Sequence, residues 1–212
     1  MDKVQVKKAL QELNKLPKRK FLQSYDLVIN LKNFEIKQNP LDFFTTLHFS
    51  SGKKIKVAAF VDQLLREQAG KFCDFVIEEK DFPNYADKKA AKKLADSYDY
   101  FIAQANLMPK VAAVLGRYLG VKGKMPNPKL GCVVPPNANL EPLIKKLNTT
   151  VHLVAKKALN LQCLVGKENQ SEEEIIDNIL TVYQGVIKQV PNEAQNIKSV
   201  LIKYSMSKPV KV

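Results

Sequence analysis

The chain has 212 residues, 45% of them hydrophobic, and its 34 Lys and Arg against 21 Asp and Glu leave a formal net charge of +13. Such a hydrophobic share can bury a core, which excludes wholesale disorder, and the length suits one large domain or two small ones. The cationic excess fits a polyanionic partner, because each neutralised phosphate releases condensed counterions; a plainly positive surface is the blander reading.

No apolar run reaches the ~18–20 residues that a membrane span needs. The N-terminal MDKVQVKKALQELNKL is charged throughout and lacks the apolar core of a signal peptide. Cys73, Cys132 and Cys163 are isolated and odd in number, so disulfide scaffolds and zinc ribbons are disfavoured. They read as small buried hydrophobes in a reducing compartment.

In chain order, Val6, Leu10 and Leu13 place an apolar stripe on a first helix, which Pro17 stops. Two strands follow, YDLVINL and FFTTLHFS. From Lys53 to Asn148 the pattern becomes strand then helix, repeated. KIKVAAF leads into a helix VDQLLREQAG closed by Gly70, DFVI into YADKKAAKKLADSY, and YDYFIA into LMPKVAAVLGRYLG. That alternation predicts a parallel sheet flanked by helices. ANLEPLIKKL adds a helix with Leu140, Leu143, Ile144 and Leu147 on one face. Beyond it come strands VHLVA and LQCLV, then a helix opened by Ser171 with Glu174 three residues on, a capping box. Ile175, Ile176, Ile179, Tyr183 and Ile187 supply its stripe, and SVLIKYSM closes the chain as a strand.

The first 52 residues and the last 64 are each too short to bury an adequate core alone. Joined, they make a domain of ordinary size. The expected architecture is therefore a discontinuous α+β domain, residues 1–52 and 149–212, with an α/β domain, 53–148, inserted between its halves. Two chain crossings would then act as a hinge. Net charge is +4 for residues 1–52, +7 for 53–148 and +2 for 149–212, so a partner touching both domains is electrostatically plausible.

GVKGKMPNPKLG, residues 120–131, is dense in glycine, lysine and proline. A Walker loop needs a glycine five residues before Gly123, where Tyr118 stands, and a Ser or Thr after Lys124, where Met125 stands. A dinucleotide fingerprint fails too, because Gly120 and Gly123 follow a helix. The loop reads as a shaped, basic turn. His48 and His152 lie alone in strand-like runs and read as structural. Glu78, Glu79 and Asp81 admit a paired acid/base or a solvated acidic turn, and the turn is favoured. Lys88, Lys89, Lys92 and Lys93 recur at helical spacing, which marks either a solvated face or one that meets phosphates.

Three separated stretches share one resemblance. GRYLGVKGKMPNPKLG resembles the signature of the universal ribosomal protein L-one family, RKFLQS resembles its basic-Lys-Phe segment after the first helix, and YSMSKPVKV resembles its Thr-Met-Gly ending. VGKENQSEEEIIDNI is similar to the approach to the last helix, and GKMPNPKLGCVVPPNANL looks archaeal. The resemblance runs along essentially the whole chain.

It implies a two-layer α/β sandwich split around a Rossmann-like insert. It also implies a non-catalytic structural constituent of the large subunit, cytoplasmic and ribosomal, that needs no cofactor or metal. The implied RNA-binding residues are Arg19, Lys20, Phe21 and Ser24, with Lys167, and Ser205, Met206, Ser207 and Lys208 near the C-terminus. Gly120, Lys122, Gly123, Lys124, Met125, Pro126 and Asn127 form the signature loop. Implied partners are large-subunit rRNA, exit-site tRNA as the insert swings with the stalk, the chain's own mRNA as a repression target, and other large-subunit components. No membrane is implied, and the free protein is expected to be a monomer. Phe21 taken alone would more often be core. Val121 replaces a usual Pro, Lys122 an Arg, Ser207 a Gly and Gln23 an acid. The alternative is an enzyme that binds a small ligand in the inserted domain, a reading that rests on the fold alone.

Overall fold

The computed structural model describes residues 1–17, 19–36 and 38–212. In chain order the main elements are α1 (Lys3–Asn14), β1 (Ser24–Leu31), β2 (Leu41–Thr46), β3 (Val57–Val61), α2 (Gln63–Phe72), β4 (Phe75–Glu78), α3 (Lys88–Ser97) and β5 (Tyr100–Gln104). There follow α4 (Met108–Val121), β6 (Val133–Val134), α5 (Glu141–Thr149), β7 (Thr150–Ala155), β8 (Asn160–Lys167), α6 (Glu172–Ile187), β9 (Ile197–Tyr204) and β10 (Val210–Lys211). Two compact units result, Met1–Lys53 with Thr149–Val212, and Lys54–Asn148.

The first unit carries an antiparallel sheet in the order β10-β9-β1-β8 and a smaller antiparallel pair, β2-β7. Strand β1 alternates strictly, with Tyr25, Leu27, Ile29 and Leu31 buried. That period of two lays one face on a core shared with Val6, Leu10 and Leu13 of α1 and Ile175, Ile179, Val182 and Val186 of α6. Ser171 opens α6, its hydroxyl accepting from the Glu174 N–H at 3.3 Å, which is the first half of the expected box. Three glutamates in the first turn complement the positive end of the helix dipole. Gly185 lies where an added Cβ would come within 2.8 Å of Thr45 Oγ1, so α6 needs its missing side chain to approach β2.

The second unit is a parallel sheet in the order β4-β3-β5-β6. All five residues of β3 are buried, as expected of a strand covered on both faces. Phe60 centres the core, stacked on Phe101 at 5.7 Å and edge-on to Phe82 at 5.9 Å.

Several boundaries move from their expected places. Gly70 does not close α2, which runs on to Phe72 with the Cys73 N–H still bonded to the Ala69 carbonyl. The penalty of one mid-helix glycine, about 1 kcal/mol, is outweighed by the buried Leu65 and Ala69. Helix α3 starts at Lys88, because Glu79–Tyr85 forms a 3₁₀ stretch before it. Strand β2 covers Leu41–Thr46 and ends there, since its partner β7 begins at Thr150. His48 therefore sits outside any strand, with Nδ1 2.6 Å from Asp177. The expected closing strand is β9, which ends at Tyr204, so Ser205 and Met206 belong to a turn, and β10 follows it.

Candidate nucleic-acid interface

Antiparallel pairing brings both terminal motifs to one end of the larger sheet. Tyr25 faces Tyr204 across the β1–β9 ladder, and Ser24 faces Lys167 across β1–β8. One step further out, the Ser205 N–H donates to the Ser24 carbonyl at 3.1 Å and the Ser24 N–H donates to Ser205 Oγ at 3.3 Å. The Glu168 N–H donates to the Gln23 carbonyl at 3.0 Å. Three chain segments, 19–24, 167–168 and 205–208, thus share a rim through backbone bonds.

The rim is braced from beneath. Tyr25 and Tyr204 are buried with ring centroids 4.7 Å apart and hydroxyls 3.0 Å apart. The Tyr204 hydroxyl donates to Asn14 Oδ1 at 2.5 Å, and Asn14 Nδ2 donates to Glu172 at 3.0 Å. Burial and the Tyr204 contacts push the Tyr25 phenol well above its ordinary pKa, so it stays protonated as a donor. The C-terminal turn is fixed by Ser207, whose Oγ accepts from the Tyr204 N–H at 2.9 Å. Its hydroxyl therefore holds backbone, and the departure from Gly gains a local hydrogen bond.

What the rim leaves in solvent is both apolar and cationic. Phe21 is 51% exposed, Leu22 53% and Met206 65%, and Arg19, Lys20 and Lys208 are exposed beside them in sequence. Phe21 is not core. Inside, Gln23 is 2% exposed and its Oε1 is the one buried side-chain N or O atom without a hydrogen-bond partner among the described residues. Leu22 is not among the expected RNA-binding residues, and Gln23 enters only as a departure from the resembled motif, where an acid is usual.

Gln170 holds the third segment in place: its Oε1 accepts from the Lys167 N–H at 2.8 Å and its Nε2 donates to the Ser50 carbonyl at 2.7 Å. A Cβ on Gly166 would lie 2.8 Å from that Oε1 and 3.1 Å from Ile175 Cγ1. Gly166→Ala is therefore expected to expel Gln170, lowering stability by about 1–3 kcal/mol through overpacking. Chemical denaturation of the purified variant checks this.

The signature loop lies in the second unit, apart in sequence and in domain from the rim. Helix α4 ends in a Schellman motif: the Lys124 N–H donates to the Leu119 carbonyl at 2.9 Å and the Gly123 N–H to the Gly120 carbonyl at 3.0 Å. Gly123 takes φ of +66°, which glycine adopts without strain. Lys124 Nζ donates to the carbonyls of Ala95 and Tyr98, closing the C-terminal end of α3, while Met125 packs on the core and Pro126 is buried. Asn127 caps a 3₁₀ turn by accepting from the Lys129 N–H. Lys122 is paired with Asp96. The expected basic turn is thus mainly a joint of the fold.

The groups weighed for catalysis are committed elsewhere. Glu78 pairs with Arg66 at 2.8 Å, Glu79 with Lys110, and Asp81 accepts from the Glu78 N–H. His152 stacks on Phe44 and hydrogen-bonds Asp42, whose carboxyl is held below its usual range by His152 first and Lys156 second. At the carboxyl ends of β3 and β5, where a doubly wound sheet takes small ligands, Gln104 is buried with Oε1 accepting from the Asp62 N–H at 3.0 Å. Burial pushes the thiols of Cys73 and Cys132 up to about 11 and that of Cys163 to about 12, away from reactivity. Among the described residues no group of three or more His, Cys, Asp or Glu is placed to hold a metal ion, and no helix is long and apolar enough to cross a membrane.

The chain is thus a mixed α/β protein of two units, one built from its two terminal segments together and the other from the segment between them. The chain belongs to the ribosomal protein L1p/L10e family, whose model matches residues 10–208. Its archaeal relatives include the large ribosomal subunit protein uL1 of Nanoarchaeum equitans, 41% identical over 98% of this chain and 97% of that one. The protein of the same name from Pyrococcus abyssi is 37% identical over 100% of this chain and 96% of its own, and that from Thermoplasma acidophilum 35% over 98% and 95%.

Proposed function

We propose that this chain is a constituent of the large ribosomal subunit, grips large-subunit rRNA of the mobile stalk with the rim of its split unit, and is a monomer when free. The observation that carries the reading is the mutual hydrogen bonding of Ser24 and Ser205, one bond between backbones and one to the Ser205 hydroxyl, which joins the Arg19–Ser24 and Ser205–Lys208 segments into one surface. Folded RNA is recognised by shape, 2′-hydroxyls and splayed bases. Exposed Phe21, Leu22 and Met206 offer faces to bases, while Arg19, Lys20, Lys167 and Lys208 meet phosphates. A stalk of this kind accompanies exit-site tRNA as it leaves, among other large-subunit components, and the same rim serves an rRNA-like fold in the chain's own mRNA.

The test is titration of the full chain with a stalk rRNA fragment across a salt series. Tight, saturable binding is expected, with log K falling linearly against log salt at a slope of about −3 to −4, one phosphate for each rim cation. Weak, unsaturable binding equal to that of an unrelated RNA hairpin overturns the proposal.

A further inference from the structure

The second unit carries a cationic cleft that the rim does not account for. Residues 54–148 hold sixteen Lys and Arg against ten Asp and Glu. A cleft of ≈ 280 Å³ is lined by Lys88 and Lys92 of α3, Arg117, Tyr118 and Val121 of α4, and Lys122 just beyond. No carboxylate lines it. Lys88 and Arg117 are exposed and make no ion pair among the described residues. Lys122 is paired with Asp96, whose carboxyl is held low first by that hydrogen bond and then by the charges of Lys122, Lys124 and Lys92.

Part of its lining is apolar, from Tyr118 and Val121. Val121 is 88% exposed, the most open of the large hydrophobics, and Tyr118 is half-buried with its ring against the core. A side chain so exposed gains nothing for the fold. Lys88 and Lys92 stand one helical turn apart, about 6 Å along the axis, so their ammonium groups form a short rail rather than a single point. Arg117 adds a planar fork suited to phosphate.

We propose that this cleft is a second RNA site, for an unpaired segment. The phosphates lie along Lys88, Lys92 and Arg117, and a base rests on Tyr118 and Val121. Cations flanking an aromatic and an aliphatic surface are what single strands use, because every base has a π-face whatever its sequence. A purely acidic protein segment would use the cations but not the apolar lining. The site is separate from the rim and does not depend on the rim's binding rRNA.

The experiment uses the full chain, ¹⁵N-labelled, titrated with a short oligouridine and separately with polyglutamate of matched charge. Backbone amides of 88–92 and 117–122 are expected to shift with oligouridine and much less with polyglutamate. The variant Lys88→Gln/Lys92→Gln/Arg117→Gln, altered only at exposed side chains, is expected to lose at least about tenfold in oligouridine affinity at low salt. Its salt slope should fall in magnitude by about 2. Its affinity for the stalk rRNA fragment, read in parallel, should stay within twofold of the parent, which separates this claim from that of the rim. Equal or stronger shifts with polyglutamate overturn the proposal in favour of an acidic partner. Shifts confined to residues outside 54–148, or an unchanged affinity in the triple variant, overturn it outright.

Discussion

Phe21→Ala is expected to weaken binding of a stalk rRNA fragment by about 5- to 150-fold, the equivalent of the 1–3 kcal/mol that a lost base–aromatic contact costs. The reason lies in where the ring sits. Phe21 stands three residues before β1, in a segment held to β8 and β9 by the bonds of Gln23 and Ser24, and half of its surface faces solvent. The backbone two and three residues on is already fixed, which lowers the ordering entropy spent when a base stacks on the ring. Because it is not buried in the fold, thermal stability should change by less than about 0.5 kcal/mol. Affinity measured by filter binding, with stability measured by calorimetry, checks both halves. Loss of stability with unchanged affinity would return the ring to a packing role.

Phe60→Ala is expected to cost about 3–5 kcal/mol of the second unit's stability. Phe60 is fully buried in β3, and removing its ring takes an aromatic neighbour from both Phe82 and Phe101, leaving Phe101 its edge contact with Tyr98. Amide hydrogen exchange should show faster opening across 54–148, with the protection of β1, β8 and β9 retained. Affinity for the stalk fragment should stay within twofold, since each hydrogen bond that builds the rim lies within 1–53 and 149–212. A parallel loss of RNA affinity would show that the rim is not the sole grip.

Much of this was legible because it is periodic. The stripe Val6, Leu10, Leu13, the alternation in β1 and the apolar run of α6 each declare their element within one window of sequence. Strands β6 and β10 have two residues apiece and carry no period to read. Glycines misled in a systematic way: Gly70 and Gly123 look alike in sequence, yet only Gly123 has a positive φ and the paired Schellman bonds. At the rim, the basic-Phe segment and the C-terminal turn were readable as motifs. The brace beneath them was not. Asn14 and Tyr204 meet across 190 positions, and no local pattern records that contact. Lys124 was equally opaque, since a lysine that closes a helix by donating to two carbonyls has the same letter as one that waits in solvent.

Photo-cross-linking of the full chain to a uridine-labelled stalk rRNA fragment, with adducts located by mass spectrometry, asks most directly whether the rim is where RNA is held. Adducts concentrated at Phe21, Leu22 and Met206 are the predicted result. Adducts absent from 19–24 and 205–208 and confined to 54–148 would contradict it.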